Sequence, residues 1–174
     1  MKSTGVLRRI DDLGRIVIPR EIRKNLKIKN GESLEIFVNG DAVVLKKYSY
    51  MSDLCEVAQN CSDSFYDVVK QSILITDLNN VIAASGPSKK KYLDKEISKF
   101  VSDMIKDRVP KVDSEIDDFE IIKGTIEKSK FIVSPVIVSG DAVGSVIILS
   151  NTEITDLIEK TSNFIARFLS KHLQ

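Results

Sequence analysis

RRIDDLGRIVIPREIRK, residues 8–24, concentrates six cations in seventeen positions: Arg8, Arg9, Arg15, Arg20, Arg23 and Lys24. Around them the local pattern is compact. Residues 5–10 and 15–18 are short β-branched runs, expected as strands. Asp11-Asp12-Leu13-Gly14 between them is a turn, with Gly14 free to adopt positive φ. Pro19 stands where a helix begins, preorganised at the first helical position, and residues 20–26 continue for two turns. Residues 33–38 and 42–46 read as two more strands around Asn39-Gly40, a strong hairpin signal. The order β-β-α-β-β is thus complete within fifty residues. Cations on a small strand-built scaffold suit a phosphate backbone, and the predominance of arginine suits bidentate contacts to phosphate or guanine. Asp11 and Asp12 either orient the arginines by ion pairing or only shape the turn, and the turn reading is preferred.

Such a module is too small to stand alone. Residues 1–49 hold one Phe, one Tyr and neither Trp, Cys nor His. Domains near this size are marginal, and without disulfides or a metal the remaining source of stability is association. The expectation is an obligate dimer.

The whole chain of 174 residues has a formal net charge of only +1. That value conceals an asymmetry. Residues 1–49 carry eleven Lys/Arg against six Asp/Glu, a net +5, and residues 50–174 carry a net −4. A basic module joined to an acidic one points to a nucleic-acid-facing part and a second part of different purpose. Hydrophobic content of 43% and charged content of 29% fit a folded globular chain. The start lacks the apolar core of a signal peptide, and the apolar runs 131–138 and 142–149 are too short to span a bilayer. The expectation is a cytoplasmic protein with no membrane contact.

After a polar-aromatic joint at 46–51, apolar residues recur at helical spacing from Leu54 to Val69. Strands are expected at 72–77 and 80–84, a loop from Ser85 to Lys91, a helix over 94–107 and an acidic irregular stretch over 109–118. Strands follow near 119–126, 130–138 and 142–149, then a helix whose stripe includes Leu157, Phe164, Ile165, Phe168 and Leu169. The order α-ββ-α-βββ-α predicts an α+β unit: one five-stranded antiparallel sheet with helices packed on it. Both terminal helices have apolar faces broad enough to cover the sheet and meet a partner chain. The domains are therefore expected at 1–50 and 51–174.

Chemical motifs are scarce. Cys55 and Cys61, six apart on a helix, lie about 9 Å apart along its axis, too far for a disulfide. They read as reduced core residues. His172, the only histidine, is two residues from the end. No Ser-His-Asp set, CxxC pair, phosphate-cradling glycine loop or paired-carboxylate motif is present. The expectation is a protein that is not an enzyme and holds no metal or cofactor.

The first module resembles the AbrB-type swapped-hairpin DNA-binding domain. The residues that carry the likeness are Met-Lys-Ser-Thr-Gly at 1–5, then RRIDDLGRIVIPREIRKNL, LEIFV at 34–38 and VVLKKY at 43–48. The second module is similar to a GAF domain by its order of elements. The combination, with Ser-Lys-Lys-Lys-Tyr-Leu at 88–93 and the hairpin at 139–144, resembles two-module transcription regulators of spore-forming bacteria. The resemblance implies a dimer of interleaved hairpins that binds duplex DNA through Arg8, Arg9, Arg15, Arg23 and Lys24, with Arg20 beside them. It also implies a homotetramer paired through GAF-like helices, and control of sporulation genes by activation, repression or both. GAF-like domains commonly enclose a small molecule, and Thr76, Ser85 and Tyr92 sit where such a pocket would lie. The residues themselves leave two states open there: an effector site and a pocket filled by side chains. They also leave a rival function. Antitoxins share the swapped-hairpin fold, but the 125 patterned residues that follow here replace the short toxin-wrapping tail.

Overall fold

Leu34–Asn39 (β1) and Ala42–Lys47 (β2) pair antiparallel in register from Leu34↔Lys47 to Asn39↔Ala42, so the connecting residues are Gly40 and Asp41. Side chains of a strand alternate between its faces. The pairs Ile36↔Leu45 and Val38↔Val43 therefore share one face, and Phe37↔Val44 lies on the other. Both faces are apolar, the pattern of a strand buried on both sides. Yet Val38 is 79% and Val43 69% exposed. Ahead of this hairpin stands Arg20–Asn25 (α1). Pro19 is its N-cap, one position earlier than expected: its φ of −56° and ψ of 144° are not helical, while its carbonyl accepts the Arg23 N–H at 3.0 Å. The described residues are 6–26, 28, 30, 33–87 and 89–174 of this computed structural model. Residues 1–5 and Ser88, which the sequence motifs include, lie outside them.

The strands expected at 5–10 and 15–18 are not formed among the described residues. Residues 6–10 and 15–19 enter no ladder of this chain. A strand exists by its pairing, and among the described residues one backbone bond links the two arms of the turn, Asp11 N–H to the Arg15 carbonyl at 3.0 Å. Leu7, Ile10, Ile16 and Val17 are left exposed. No described side chain of residues 6–48 is buried.

By its contacts the chain divides as Met1–Tyr48 and Ser49–Gln174. The second unit contains Cys55–Val69 (α2), Ser72–Thr76 (β3), Val81–Ser85 (β4), Lys89–Tyr92 (α3), Lys99–Lys106 (α4), Lys111–Ile122 (β5), Thr125–Val138 (β6), Asp141–Ser150 (β7) and Asp156–His172 (α5). Its strands form one antiparallel sheet in the order β4-β3-β7-β6-β5, the α+β architecture the pattern predicted. Alternation along the strands builds two cores. Ile73, Ile75, Ile132, Val146 and Ile148 face α2 and α5, joined by Ala58, Phe65, Ile165 and Leu169. Leu74, Ile121, Phe131, Val133 and Ile147 face α4, joined by Tyr92, Val101 and Ile105. Gly144 in β7 is required by a close approach: a Cβ there would stand 2.1 Å from the Thr76 carbonyl oxygen of the neighbouring strand.

Five expectations fail locally. The helix expected at 94–107 starts at Lys99, because the Ser98 hydroxyl caps it by accepting the Val101 N–H at 3.2 Å and Ile97 bridges to Ile122 instead. The stretch 109–118 is mostly strand: β5 is the sheet edge, bulged between Asp113 and Asp117, and its charges suit an edge exposed to water. The strand expected at 119–126 is broken, because the chain reverses between Ile122 and Thr125. The loop from Ser85 to Lys91 contains the single helical turn α3. Cys61 is half-buried, whereas Cys55 is exposed rather than in the core, and both are free thiols.

Candidate nucleic-acid interface

The loop at 11–15 is organised by one carboxylate. Gly14 N–H donates to the Asp11 carbonyl at 2.9 Å, closing the turn, and Gly14 holds φ at +76° with open space around it. The residue's role there is conformational, since side chains rarely adopt that backbone. Asp11 Oδ1 accepts N–H bonds from Leu13 at 3.0 Å and Arg15 at 2.8 Å. Its Oδ2 accepts from Arg15 Nε at 2.9 Å. The Arg15 backbone N–H, most of all, holds the Asp11 carboxyl below the usual carboxylate range; the Arg15 side chain and the Leu13 N–H act in the same direction. Asp11 thus both shapes the turn and orients an arginine. With Nε engaged, the two Nη groups of Arg15 remain for an outside acceptor.

Arg8, Arg9, Arg15, Arg20 and Lys24 are exposed. Arg23 differs. It is half-buried, its Nη1 donates to Asn30 Oδ1 at 2.7 Å, and its Nε has no hydrogen-bond partner among the described residues. Arg23 ties α1 to the segment that follows it. Arg23 and Lys24 also occupy the last turn of α1, where the helix dipole favours cations. The Asn30 bond is the feature that the sequence did not disclose. The pairing of Asp11 with Arg15 is the alternative that the sequence offered beside the turn role, and the structure has both.

Thr76, Ser85 and Tyr92 are not brought together. Thr76 is fully buried and shares a hydrogen bond with Ser145, Oγ1 to Oγ at 2.9 Å. Ser85 lies beneath α2, donating to Asp63 Oδ1 and accepting from Gln59 Nε2 at 3.2 Å. Tyr92 is buried in the opposite layer beside Glu127, which also pairs with Lys91. Burial, first, and then the Glu127 carboxylate push its phenol far above the ordinary value. Each hydroxyl is already engaged within the fold. Among the described residues no group of three His, Cys, Asp or Glu is placed to hold a metal. No described helix is long and apolar enough to cross a membrane.

Comparison with known proteins fits both units. A family model described as the C-terminal part of stage V sporulation protein T, a transcription factor, matches residues 53–174. Another, described as antidote-toxin recognition MazE, bacterial antitoxin, matches residues 7–53. The chain is 41% identical over 177 residues to stage V sporulation protein T of Bacillus subtilis (strain 168), covering 100% of this chain and 99% of that protein. It is 46% identical over 63 residues to the transition state regulatory protein AbrB of the same organism, covering 36% of this chain and 65% of that one. The fold of the second unit is similar to the GAF domain of a phosphoenolpyruvate-protein phosphotransferase from Coxiella burnetii, with a TM-score of 0.55 at 12% identity over 68% of this chain and 80% of that one. With a match across its whole length and both units accounted for, the chain belongs to the stage V sporulation protein T family of transcription factors.

Proposed function

We propose that the chain regulates sporulation genes by binding duplex DNA as an oligomer, at promoters where it acts as activator, repressor or both. The observation that carries this reading is the set of exposed cations, Arg8, Arg9, Arg15, Arg20 and Lys24, on a unit none of whose described residues is buried. The apolar faces of β1 and β2 and the runs at 6–10 and 15–18 need covering, and a second copy offers the same pattern of strands. A swapped-hairpin dimer would double the cationic surface as it forms the core. Phosphate contacts would supply most of the affinity and base contacts the selectivity. Arg23, tethered to Asn30, would position α1 more than it touches DNA.

The second unit pairs dimers into a tetramer in this reading. Its support is the outer side of α5, where Leu157 is 73% and Phe164 67% exposed and Phe164 stacks on Phe168 at 6.4 Å between centroids. Linking two DNA-binding dimers raises avidity without any new contact to DNA. Sensing of a small effector by this unit belongs to the same proposal. The deciding experiment is fluorescence-anisotropy titration of operator DNA at several salt concentrations. Arg8→Ala and Arg15→Ala should each weaken binding and reduce the slope of log K against log salt by about 1 for every protomer in contact with DNA. Unchanged slopes in both would overturn the assignment.

A second reading follows from the antitoxin family model that matches residues 7–53. There the first unit would hold a small protein partner. Copurification of a stoichiometric small protein, lost on substitution within 7–53, would favour it.

A further inference from the structure

We infer that the second unit carries a binding site for a small organic anion, in a cleft between α5 and the segment that follows α4. The cleft has a volume of about 330 Å³, and its lining includes Arg108, Pro110, Pro135, Asn163, Arg167 and Ser170. Small-molecule sites begin near 300 Å³. It lies apart from Thr76, Ser85 and Tyr92, none of which lines it.

The charged groups that line the cleft are both donors, Arg108 and Arg167. Ser170 donates its one hydroxyl hydrogen to the Ile137 carbonyl and keeps only acceptor capacity. Asn163 Oδ1 accepts from Ser134 Oγ at 3.0 Å, which leaves the amide N–H groups of that side chain. Arg108 donates to the Gly140 carbonyl at 2.6 Å and to Asp141 Oδ1 at 2.9 Å, and a guanidinium has five N–H donors in all. Arg167 forms no ion pair among the described residues. Among the described residues no acidic side chain lines the cleft, and Asp141 offsets only one of the two guanidinium charges.

Arg108 follows the C-cap of α4, and its φ of +58° with its N–H donating to the Ile105 carbonyl at 3.2 Å is an ordinary left-handed helix ending. Its two side-chain bonds to the β6–β7 turn place the guanidinium before any ligand arrives. Pro110 and Pro135 add stiff apolar walls. The matching occupant has a carboxylate or phosphate for the two arginines and a compact apolar body against the prolines. Fixed arginine forks favour such planar or tetrahedral anions over neutral ligands.

This inference concerns the effector part of the proposed function and is independent of DNA binding by the first unit. Its test therefore uses no DNA. Full-length protein is titrated calorimetrically with pyruvate, citrate and inorganic phosphate, which separate carboxylate from phosphate preference. At least one probe should give saturable binding below roughly 10 mM and raise the melting midpoint. Arg167→Ala should weaken it about ten- to a hundredfold, since the lost bonds are charge-assisted. Lys160→Ala, on the same helix but paired with Asp156 outside the cleft, should bind as wild type. Arg167 is exposed, so its removal should leave the unliganded midpoint nearly unchanged. No saturable binding of any probe, or equal binding by Arg167→Ala, would overturn the site.

Discussion

Residues 34–47 and residues 72–85 are both β-hairpins of β-branched and aliphatic side chains, and they end in opposite states. Ile73, Ile75, Val81 and Ala83 are fully buried between sheet neighbours and helices, while Ile36, Val38 and Val43 of the first hairpin stand in solvent. The difference lies in what each unit can supply. The second unit has five strands, α2 and α5 on one face and α4 on the other. The first has two strands and a six-residue helix. Below a certain size a chain cannot cover its own apolar surface, whatever its composition. The second unit therefore holds its stability within the chain, whereas in the proposed dimer the first would find its own between chains.

The sharpest way to break that contrast is a charge at Phe37, opposite Val44 in the first hairpin. In a lone unit Phe37→Asp should do little, because the side chain is already exposed. In a swapped dimer it buries a carboxylate, and dimer dissociation should rise by more than about a hundredfold with loss of DNA binding. Sedimentation and anisotropy read both. Calorimetry should still show the transition of the second unit. A wild-type dimer constant would refute the interchain core.

The complementary substitution is Ile147→Ala, in the centre of β7 and 1% exposed. It removes a core side chain that packs with Leu74, Phe131 and Ile105. The cost should be about 2–5 kcal/mol. Thermal denaturation should show the loss in the second unit alone, with dimerisation through the first unit unaffected. A matching fall in dimer affinity would show that the units do not hold their stability separately.

A smaller effect probes how α2 is pinned to β4. The Ser85 hydroxyl, first, and the Gln59 amide, next, hold the Asp63 carboxyl below its ordinary value of 3.8, with Lys89 adding to the effect. A carboxyl whose folded-state pKa is depressed stabilises the fold fully above its unfolded value and loses that contribution as pH falls through the lower folded one. Ser85→Ala should cost about 1 kcal/mol at pH 7. The difference from wild type should shrink once the pH drops below the ordinary carboxylate range. A gap that is constant from neutral to strongly acid pH would mean that packing, rather than the charged hydrogen bond, explains it.

What could be read in advance followed from how local each signal is. The hairpin at 34–47, the helix α5 and the chain order of five strands rest on neighbours in sequence, and all of them formed, the hairpin turning at Gly40-Asp41, one residue beyond Asn39-Gly40. Residues 109–118 misled because an edge strand facing water is charged like a loop; its strand character comes from β6, which is remote in sequence only by its turn at Lys123-Gly124. The same holds for 94–98, where a bridge from Ile97 to Ile122 competes with helix and wins. For the candidate sites, the cations were legible because charge density is a property of the stretch itself. The engagement of Thr76, Ser85 and Tyr92 was not, since Ser145, Asp63 and Glu127 reach them only through tertiary structure. Arg108 and Arg167 are separated by 59 positions that only the fold brings together.

The smallest effect tests whether the loop at 11–15 is a finished surface or merely a charged one. Asp11 is an anion beside cations proposed to face phosphate. If it were only a counter-charge, Asp11→Ala would strengthen DNA binding, because it removes repulsion and frees Arg15. The geometry predicts the opposite sign. Asp11 makes three hydrogen bonds within the loop, and without them Arg15 must be ordered at the moment of binding. Affinity should fall by about two- to fivefold, less than for Arg15→Ala, because the contact itself survives. The salt slope should stay at the wild-type value, since the number of cations meeting phosphate is unchanged. Anisotropy titrations of Asp11→Ala, Arg15→Ala and the double variant read all three quantities. A gain in affinity on removing Asp11 would mean that the loop contributes charge alone. A loss that disappears in the Arg15→Ala background would mean that Asp11 acts through that arginine.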